Sequence, residues 1–273
     1  TVFVSTGRRP GYHKTYYLKE PGGIRTLLSL PYEPFPFSAE NWRQRQQAVG
    51  DRGIAMFGLD HAMYGLQRLM GSESFALWSL EAEDLMLEAM TTFARRIRAH
   101  AEAALAAGVR GVFGWVGPEL CIPPLMSPAH FDRYVGALDR PLIDTLHQAG
   151  CRVWVHCHGR MRPVLERFVE MGVDVLNPIE PPPMGDISVA EAFARVGHRM
   201  GLEGDIESHD LMIATPAVFG PKMAAALEAG RGRRFILCPC SGYDENPDPS
   251  AQEIANWRFY VEEGLRLAEA MRE

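Results

Sequence analysis

Short apolar, β-branched runs alternate with longer stretches of helical periodicity from residue 53 onward, and this alternation constrains the fold more than any other feature of the chain. Six runs read as strands: 53–59, 109–116, 152–156, 173–177, 199–204 and 234–238. Between them lie amphipathic stretches such as 80–107, where Leu85, Leu87, Met90, Phe93, Ile97 and Ala101 recur at helical spacing. Strand, helix, strand in succession is the pattern of a parallel sheet, because parallel neighbours need a crossover long enough to hold a helix. Helix starts are marked at Ser127-Pro128, Thr215-Pro216 and Ser250, the last with Glu253 three residues on as a capping box. Ala149-Gly150 and Met171-Gly172 mark helix ends directly before the next strand.

Consecutive βα units fit an open doubly wound sheet or most of an eight-stranded barrel. Polar residues near the strand ends favour the barrel: Glu119 after the second strand, His156 and His158 at the third, Asn177 and Glu180 at the fourth, Glu203 and Asp205 at the fifth, Cys238 and Cys240 at the sixth. A barrel gathers all those ends around one mouth, whereas an open sheet gathers only those beside its switch point. The first fifty residues differ. Segments 1–4 and 13–18 read as a small hairpin, 30–36 as extended, proline-stiffened chain, and 39–49 as a helix. The expected organisation is therefore a segment 1–50 packed on a barrel of residues 51–273, one domain overall. Because the chain opens at Thr1 rather than Met, an upstream segment is expected.

Two strand ends carry the chemistry. Val153-Trp154-Val155-His156-Cys157-His158-Gly159 puts both imidazoles on one strand face, and Phe235-Ile236-Leu237-Cys238-Pro239-Cys240-Ser241-Gly242 does the same with two thiols. Nitrogen and sulfur donors from two strands suit zinc, with His156, His158 and Cys240 or Cys238 as ligands and Glu119 or a water in the fourth position. Such a metal lowers the pKa of a bound thiol or water. A different reading makes Cys238 a small core residue, packs Cys157 against helices, and leaves the histidines to bond a substrate carbonyl or a carboxylate without metal. Glu180, held by the stiff loop Pro181-Pro182-Pro183-Met184-Gly185-Asp186, is a candidate acid, base or ligand. Glu203 and Asp205 flank Gly204, where a ligand could approach closely, or pair with Arg160, Arg162 or Arg199. Trp115, Trp154, Met56, Phe57 and Tyr64 line an apolar pocket or belong to the core, and Asp244, Glu245 and Asp248 read as a solvated loop.

Composition excludes several classes. A net charge of -6 with scattered Lys and Arg disfavours a nucleic-acid surface or an anionic-membrane patch, so a small-molecule partner is expected. Five cysteines at non-framework spacing fit a reducing cytoplasm, and no apolar run reaches membrane-spanning length. No Gly-x-Gly-x-x-Gly opens a helix after a strand, and neither a P-loop nor a Gly-x-Ser-x-Gly elbow is present.

The run Gly117-Pro118-Glu119-Leu120-Cys121-Ile122-Pro123-Pro124-Leu125-Met126-Ser127-Pro128-Ala129-His130-Phe131 is followed by His156-Cys157-His158-Gly159, Gly172-Val173-Asp174-Val175-Leu176-Asn177-Pro178, Glu203-Gly204-Asp205-Ile206 and Phe235-Ile236-Leu237-Cys238-Pro239. In that order these segments resemble the uroporphyrinogen decarboxylase superfamily. The resemblance implies a (β/α)8 TIM barrel, here lacking its first one or two strands. One branch, the decarboxylases, needs no cofactor and grips a tetrapyrrole's carboxylates with an arginine-rich segment not recognisable in this chain. The other comprises zinc-dependent, corrinoid-linked methyltransferases with His-x-Cys-Gly and a later Cys as ligands. Here His156 falls on the first position, His158 replaces the Cys, and Cys240, with Cys238 as the alternative, falls near the last, which implies a His2Cys zinc site. The preferred expectation is a methyltransferase-like enzyme passing a methyl group between methylcobalamin, or a corrinoid-carrying protein, and a small acceptor. Glu119, Glu180 and Glu203 are its expected catalytic residues, and Trp115, Asn177, Arg160 and Asp205 its substrate contacts. The alternatives are a metal-free lyase of the decarboxylase type, using Arg160 and strand-end carboxylates, and a corrinoid- or porphyrin-binding barrel without turnover.

Overall fold

A computed structural model describes residues 2–4, 12–34, 36–240 and 248–271 of the chain. Two compact units emerge: one takes in the described residues of Thr1–Val4, Tyr12–His156 and Glu170–Asp174, the other those of Cys157–Val169 and Val175–Glu273.

In the first unit, β1 (Val2–Val4) and β2 (Tyr12–Thr15) pair antiparallel. The hairpin stops short of the expected residue 18 because the backbone N–H of Leu18 donates to the Leu69 carbonyl at 2.9 Å and the Leu18 side chain is buried. Next come α1 (Gly22–Ser29), which the sequence pattern did not reveal, and α2 (Glu40–Val49), which it did. Then follow β3 (Met56–Gly58), α3 (Ala62–Glu81), α4 (Glu83–Ala106), β4 (Val112–Val116), a 3-10 turn at Pro118–Cys121, α5 (Pro128–Phe131), a π-helical turn at Asp132–Gly136, α6 (Ala137–Gln148) and β5 (Arg152–His156). The expected helix over 80–107 starts at residue 83, since Ala82 leaves helical geometry at φ -134 and separates α3 from α4. Strands β3, β4 and β5 pair parallel, with Gly58 opposite Gly114 and Gly114 opposite Trp154. One face of β4 buries Phe113 and Trp115, while Gly114 and Val116 point the other way, as period-two geometry requires.

The second unit contains α7 (Leu165–Met171, whose last two residues fall in the first unit), β6 (Val175–Ile179), α8 (Val189–Val196), β7 (Gly201–Ile206), α9 (Ser208–Ile213), α10 (Pro216–Gly230), β8 (Phe235–Pro239) and α11 (Ala251–Ala270). Strands β6, β7 and β8 are parallel and ordered as in the chain. β6 runs two residues past its expected end: Pro178 lacks an N–H, the register shifts between Leu176 and Ile179, and pairing resumes at Ile179 opposite Gly204. Ile206, Leu211, Phe219 and Met223 form a core cluster at 0% exposure, backed by Leu237 and Trp257. Ser188 and Ser250 cap α8 and α11 by accepting from Glu191 N and Glu253 N.

The architecture is α/β, and both runs of strands follow chain order, the strand sequence of a (β/α)8 barrel. Among the described residues no helix is long and apolar enough to cross a membrane.

Candidate functional site

In the second unit, the ends of β6, β7 and β8 carry Glu180, Glu207 and Cys240, whose ligand-capable atoms all lie within 4.8 Å of one another. All three are buried, at 4%, 7% and 5% exposure. Local sequence explains each placement. Glu180 ends β6 at the triple proline, and the turn behind it is tied by Gly185 N to Pro181 O and Ile187 N to Glu180 O. A Cβ at Gly185 would stand 2.1 Å from the Glu180 carbonyl oxygen, so the turn requires glycine there. Glu207 follows β7 directly as the residue before α9. Cys240 is drawn onto the end of β8 by its backbone N–H, which donates to Ile206 O at 2.8 Å.

The Glu180 carboxylate is clamped from both sides. His158 Nδ1 lies 2.8 Å from Oε1, and the backbone N–H of Gly159 donates to Oε2 at 2.7 Å. Burial alone would raise its pKa, but the His158 hydrogen bond and charge, with the Gly159 N–H and Cys240, hold it below the usual carboxylate range. Glu207 behaves oppositely. Burial, then the charges of Glu180 and Asp210, push it up to about 7, and its buried Oε1 has no hydrogen-bond partner among the described residues. The Cys240 thiol is pushed far up by burial and by Glu207 and Glu180. A buried carboxylate oxygen without a donor, facing a thiol and a second carboxylate, fits a divalent cation.

The other expected residues fall around this group or in the first unit. Asn177 donates from Nδ2 to Cys238 Sγ at 3.7 Å, and burial with Glu203 pushes the Cys238 thiol up to about 12. Asp205 lies on β7 opposite Cys238, with Oδ1 buried and unpartnered among the described residues, and burial raises its pKa to about 6. The close approach at Gly204 is made by the chain itself: a Cβ there would meet Ile179 O at 2.5 Å, which corrects the expectation of a ligand at that point. Arg160 is exposed, and Arg162 ties Asp186 and Glu191 rather than Glu203 or Asp205. Asp248 is exposed; Asp244, Glu245, Ser241 and Gly242 lie outside the described residues.

In the first unit His156 ends β5, its ring 5.8 Å from that of Trp154. Glu119 accepts from the Tyr64 hydroxyl at 2.9 Å and from Gly117 N at 3.0 Å. Trp115 donates from Nε1 to Asp139 Oδ2 at 3.2 Å, and the same oxygen lies 3.0 Å from His61 Nε2. Sequence reasoning missed Glu207, His61 and Asp139. Two of them left a signal: Glu207 continues the every-other acidic pattern of Glu203 and Asp205, and His61 follows its strand as Glu119 and Glu180 follow theirs. Asp139 left only its place among apolar helix residues.

Strand-end donors on an α/β scaffold of this order define a barrel-type site. A family model for uroporphyrinogen decarboxylase (URO-D) matches residues 59–252, and the chain belongs to that family. A comparison with curated proteins finds no match. Among solved structures the chain is similar to a methyltransferase from Methanosarcina mazei, with a TM-score of 0.66 and 18% identity over 90% of this chain and 72% of that one. It is also similar to a putative vitamin-B12 independent methionine synthase from Listeria monocytogenes, with a TM-score of 0.54 and 18% identity over 88% of this chain and 72% of that one. At such identities the likeness establishes the fold.

Proposed function

We propose that this chain is a zinc-dependent, methyltransferase-like enzyme of the cytoplasm that passes a methyl group between a corrinoid, free or protein-borne, and a small acceptor. The observation that carries the reading is the buried group of Glu180, Glu207 and Cys240, in which Glu207 Oε1 has no hydrogen-bond partner among the described residues. Family membership and the methyltransferase activity named for the Methanosarcina mazei relative lend it support.

Cys240 and Glu207 would hold the metal, with Glu180 beside them and His158 oriented through its bond to Glu180. This set keeps two expected residues, His158 and Cys240, and draws every donor from one unit. When bound, zinc would supply Lewis acidity that keeps an acceptor thiol or water deprotonated near neutral pH. Glu180 fixes the His158 ring by accepting from Nδ1 at 2.8 Å. Asp205, its pKa raised to about 6 by burial, would take up a proton at mildly acidic pH.

The test is elemental analysis of purified protein after zinc loading and dialysis, run beside Cys240→Ser and Glu207→Gln. About one zinc per chain in the wild type and a loss of about tenfold or more in affinity in each variant are expected. Wild-type protein that retains no zinc would sink the metal assignment. Methylcobalamin absorbance, followed with candidate thiols, reads the transfer itself.

A further inference from the structure

The first unit contains a cavity of about 390 Å3 lined by Met56, Gly58, Asp60, Tyr64, Arg68 and Trp154 among others. Its floor follows from strand register. Gly58, Gly114 and Trp154 stand level on β3, β4 and β5, so two residues without side chains adjoin an indole. Over Gly114 the space is filled, since a Cβ there would meet Met56 Sδ at 2.4 Å and Trp154 Cε3 at 2.9 Å. Over Gly58 it is open: a Cβ would meet nothing within 4 Å. The result is an apolar recess walled by an indole and a thioether, both polarisable and both suited to a flat ring.

The polar groups at the rim are asymmetric. Asp60 Oδ1 accepts from His61 N at 3.0 Å, and Arg68 Nη1 lies 3.2 Å from Asp60 Oδ2. Both oxygens of Asp60, the carboxylate in the cavity lining, therefore already hold a donor. Arg68 is the opposite case. Its guanidinium is steadied 5.5 Å above the Tyr64 ring and by Asp60, yet among the described residues only Nη1 forms a hydrogen bond. A guanidinium with its remaining N–H groups open is a fork for a carboxylate.

We propose that this cavity binds an aromatic carboxylate, its ring in the recess above Gly58 against Trp154 and its anionic group on Arg68. None of its lining residues belongs to the metal group, so the proposal does not rest on the metal assignment.

Titration calorimetry of the full chain with benzoate, benzyl alcohol, benzylammonium and acetate tests it. Benzoate should bind tightest, and acetate and benzylammonium weakest. Gly58→Leu fills the recess and should weaken benzoate and benzyl alcohol about tenfold or more, while Arg68→Gln should weaken benzoate about tenfold and leave benzyl alcohol unchanged. Circular dichroism confirms that each variant is folded; Gly58→Val, with a smaller side chain, replaces Gly58→Leu if that variant does not fold. The proposal is overturned if the wild type does not bind benzoate, if benzylammonium binds as tightly, or if the filled recess binds benzoate as the wild type does. Zinc content is read separately, so loss of the metal assignment leaves this result standing.

Discussion

Replacing Asp139 with alanine tests a deeply buried polar link in the first unit. Asp139 is 5% exposed and His61 2%, and one carboxylate oxygen serves both His61 Nε2 at 3.0 Å and Trp115 Nε1 at 3.2 Å. Alanine would strand two buried donors. At about 1–3 kcal/mol for each unsatisfied group, and about 3–5 kcal/mol for breaking a buried charged pair, the expected loss is about 3–5 kcal/mol. Asp139→Asn keeps an acceptor oxygen and should cost less. The pH dependence is the sharper readout. Burial alone would lower the His61 pKa, but the charge and hydrogen bond of Asp139, with Glu119 and Asp60, raise it above 6.5. Because the folded pKa is raised, this contribution is present in full below pH 6.5 and fades as pH climbs through the folded value. Without Asp139 the largest remaining influence is burial, which opposes protonation. The stability gap between wild type and Asp139→Ala should therefore widen on acidification. Urea unfolding followed by tryptophan fluorescence, repeated between about pH 5 and about pH 9, measures it. A cost below about 1 kcal/mol, or a gap that does not change with pH, would refute the reasoning.

Gly117→Ala should destabilise the first unit by about 2–4 kcal/mol in thermal or urea unfolding, because φ is 155 and a Cβ would stand 2.5 Å from the His61 ring. Asp174→Ala should cost about 1–3 kcal/mol in the same assay, since its carboxylate accepts from the buried Val153 N at 2.8 Å as well as meeting His147 and Arg152. Zinc binding should release protons, because the Glu207 carboxyl and the Cys240 thiol are both raised in the metal-free protein. Calorimetry in buffers of different ionisation enthalpy should show more protons released below about pH 7 than above it, and no release would count against both groups as ligands.

Sequence periodicity was most informative where one strand face meets buried apolar neighbours. β5 occupies residues 152–156 as the pattern indicates, because Val153 and Val155 both reach 0% exposure and fix the alternation. It failed where backbone chemistry overrides side-chain period. Pro178 interrupts the β6 ladder, and Ala82 breaks a helical pattern that is continuous in side chains. Helix α1 is hard to read from sequence because it is only eight residues long and two glycines open it, although Ile24, Leu27 and Leu28 fall on one face. The site was legible as strand ends but not as partners. Nothing in the spacing distinguishes His158 as a ligand from His158 bonded to Glu180, since that depends on where the Pro181–Pro183 turn places a carboxylate. Likewise, Asp139 and His61, 78 positions apart in the chain, meet only once the chain between them is folded.

The electrostatics of the second unit also restrict what Cys240 can do. As a free nucleophile the thiol would need a lowered pKa, as a nearby cation or helix N-terminus provides. Its surroundings are the reverse: burial comes first, then Glu207, Glu180 and Asp205, all of which oppose the thiolate. His158 offers little relief, because Nδ1 is already engaged by Glu180. Removing the carboxylates would ease the thiol but would leave His158 Nδ1 and the Gly159 N–H without their acceptor. A divalent cation, as proposed above, would resolve the conflict differently: it would make the carboxylates and the thiolate favourable neighbours at once and would give Glu207 Oε1, without a partner among the described residues, a bond. The residues that make Cys240 a poor isolated nucleophile are thus the ones that suit the proposed metal. That asymmetry favours the zinc reading over unassisted thiol chemistry at this site.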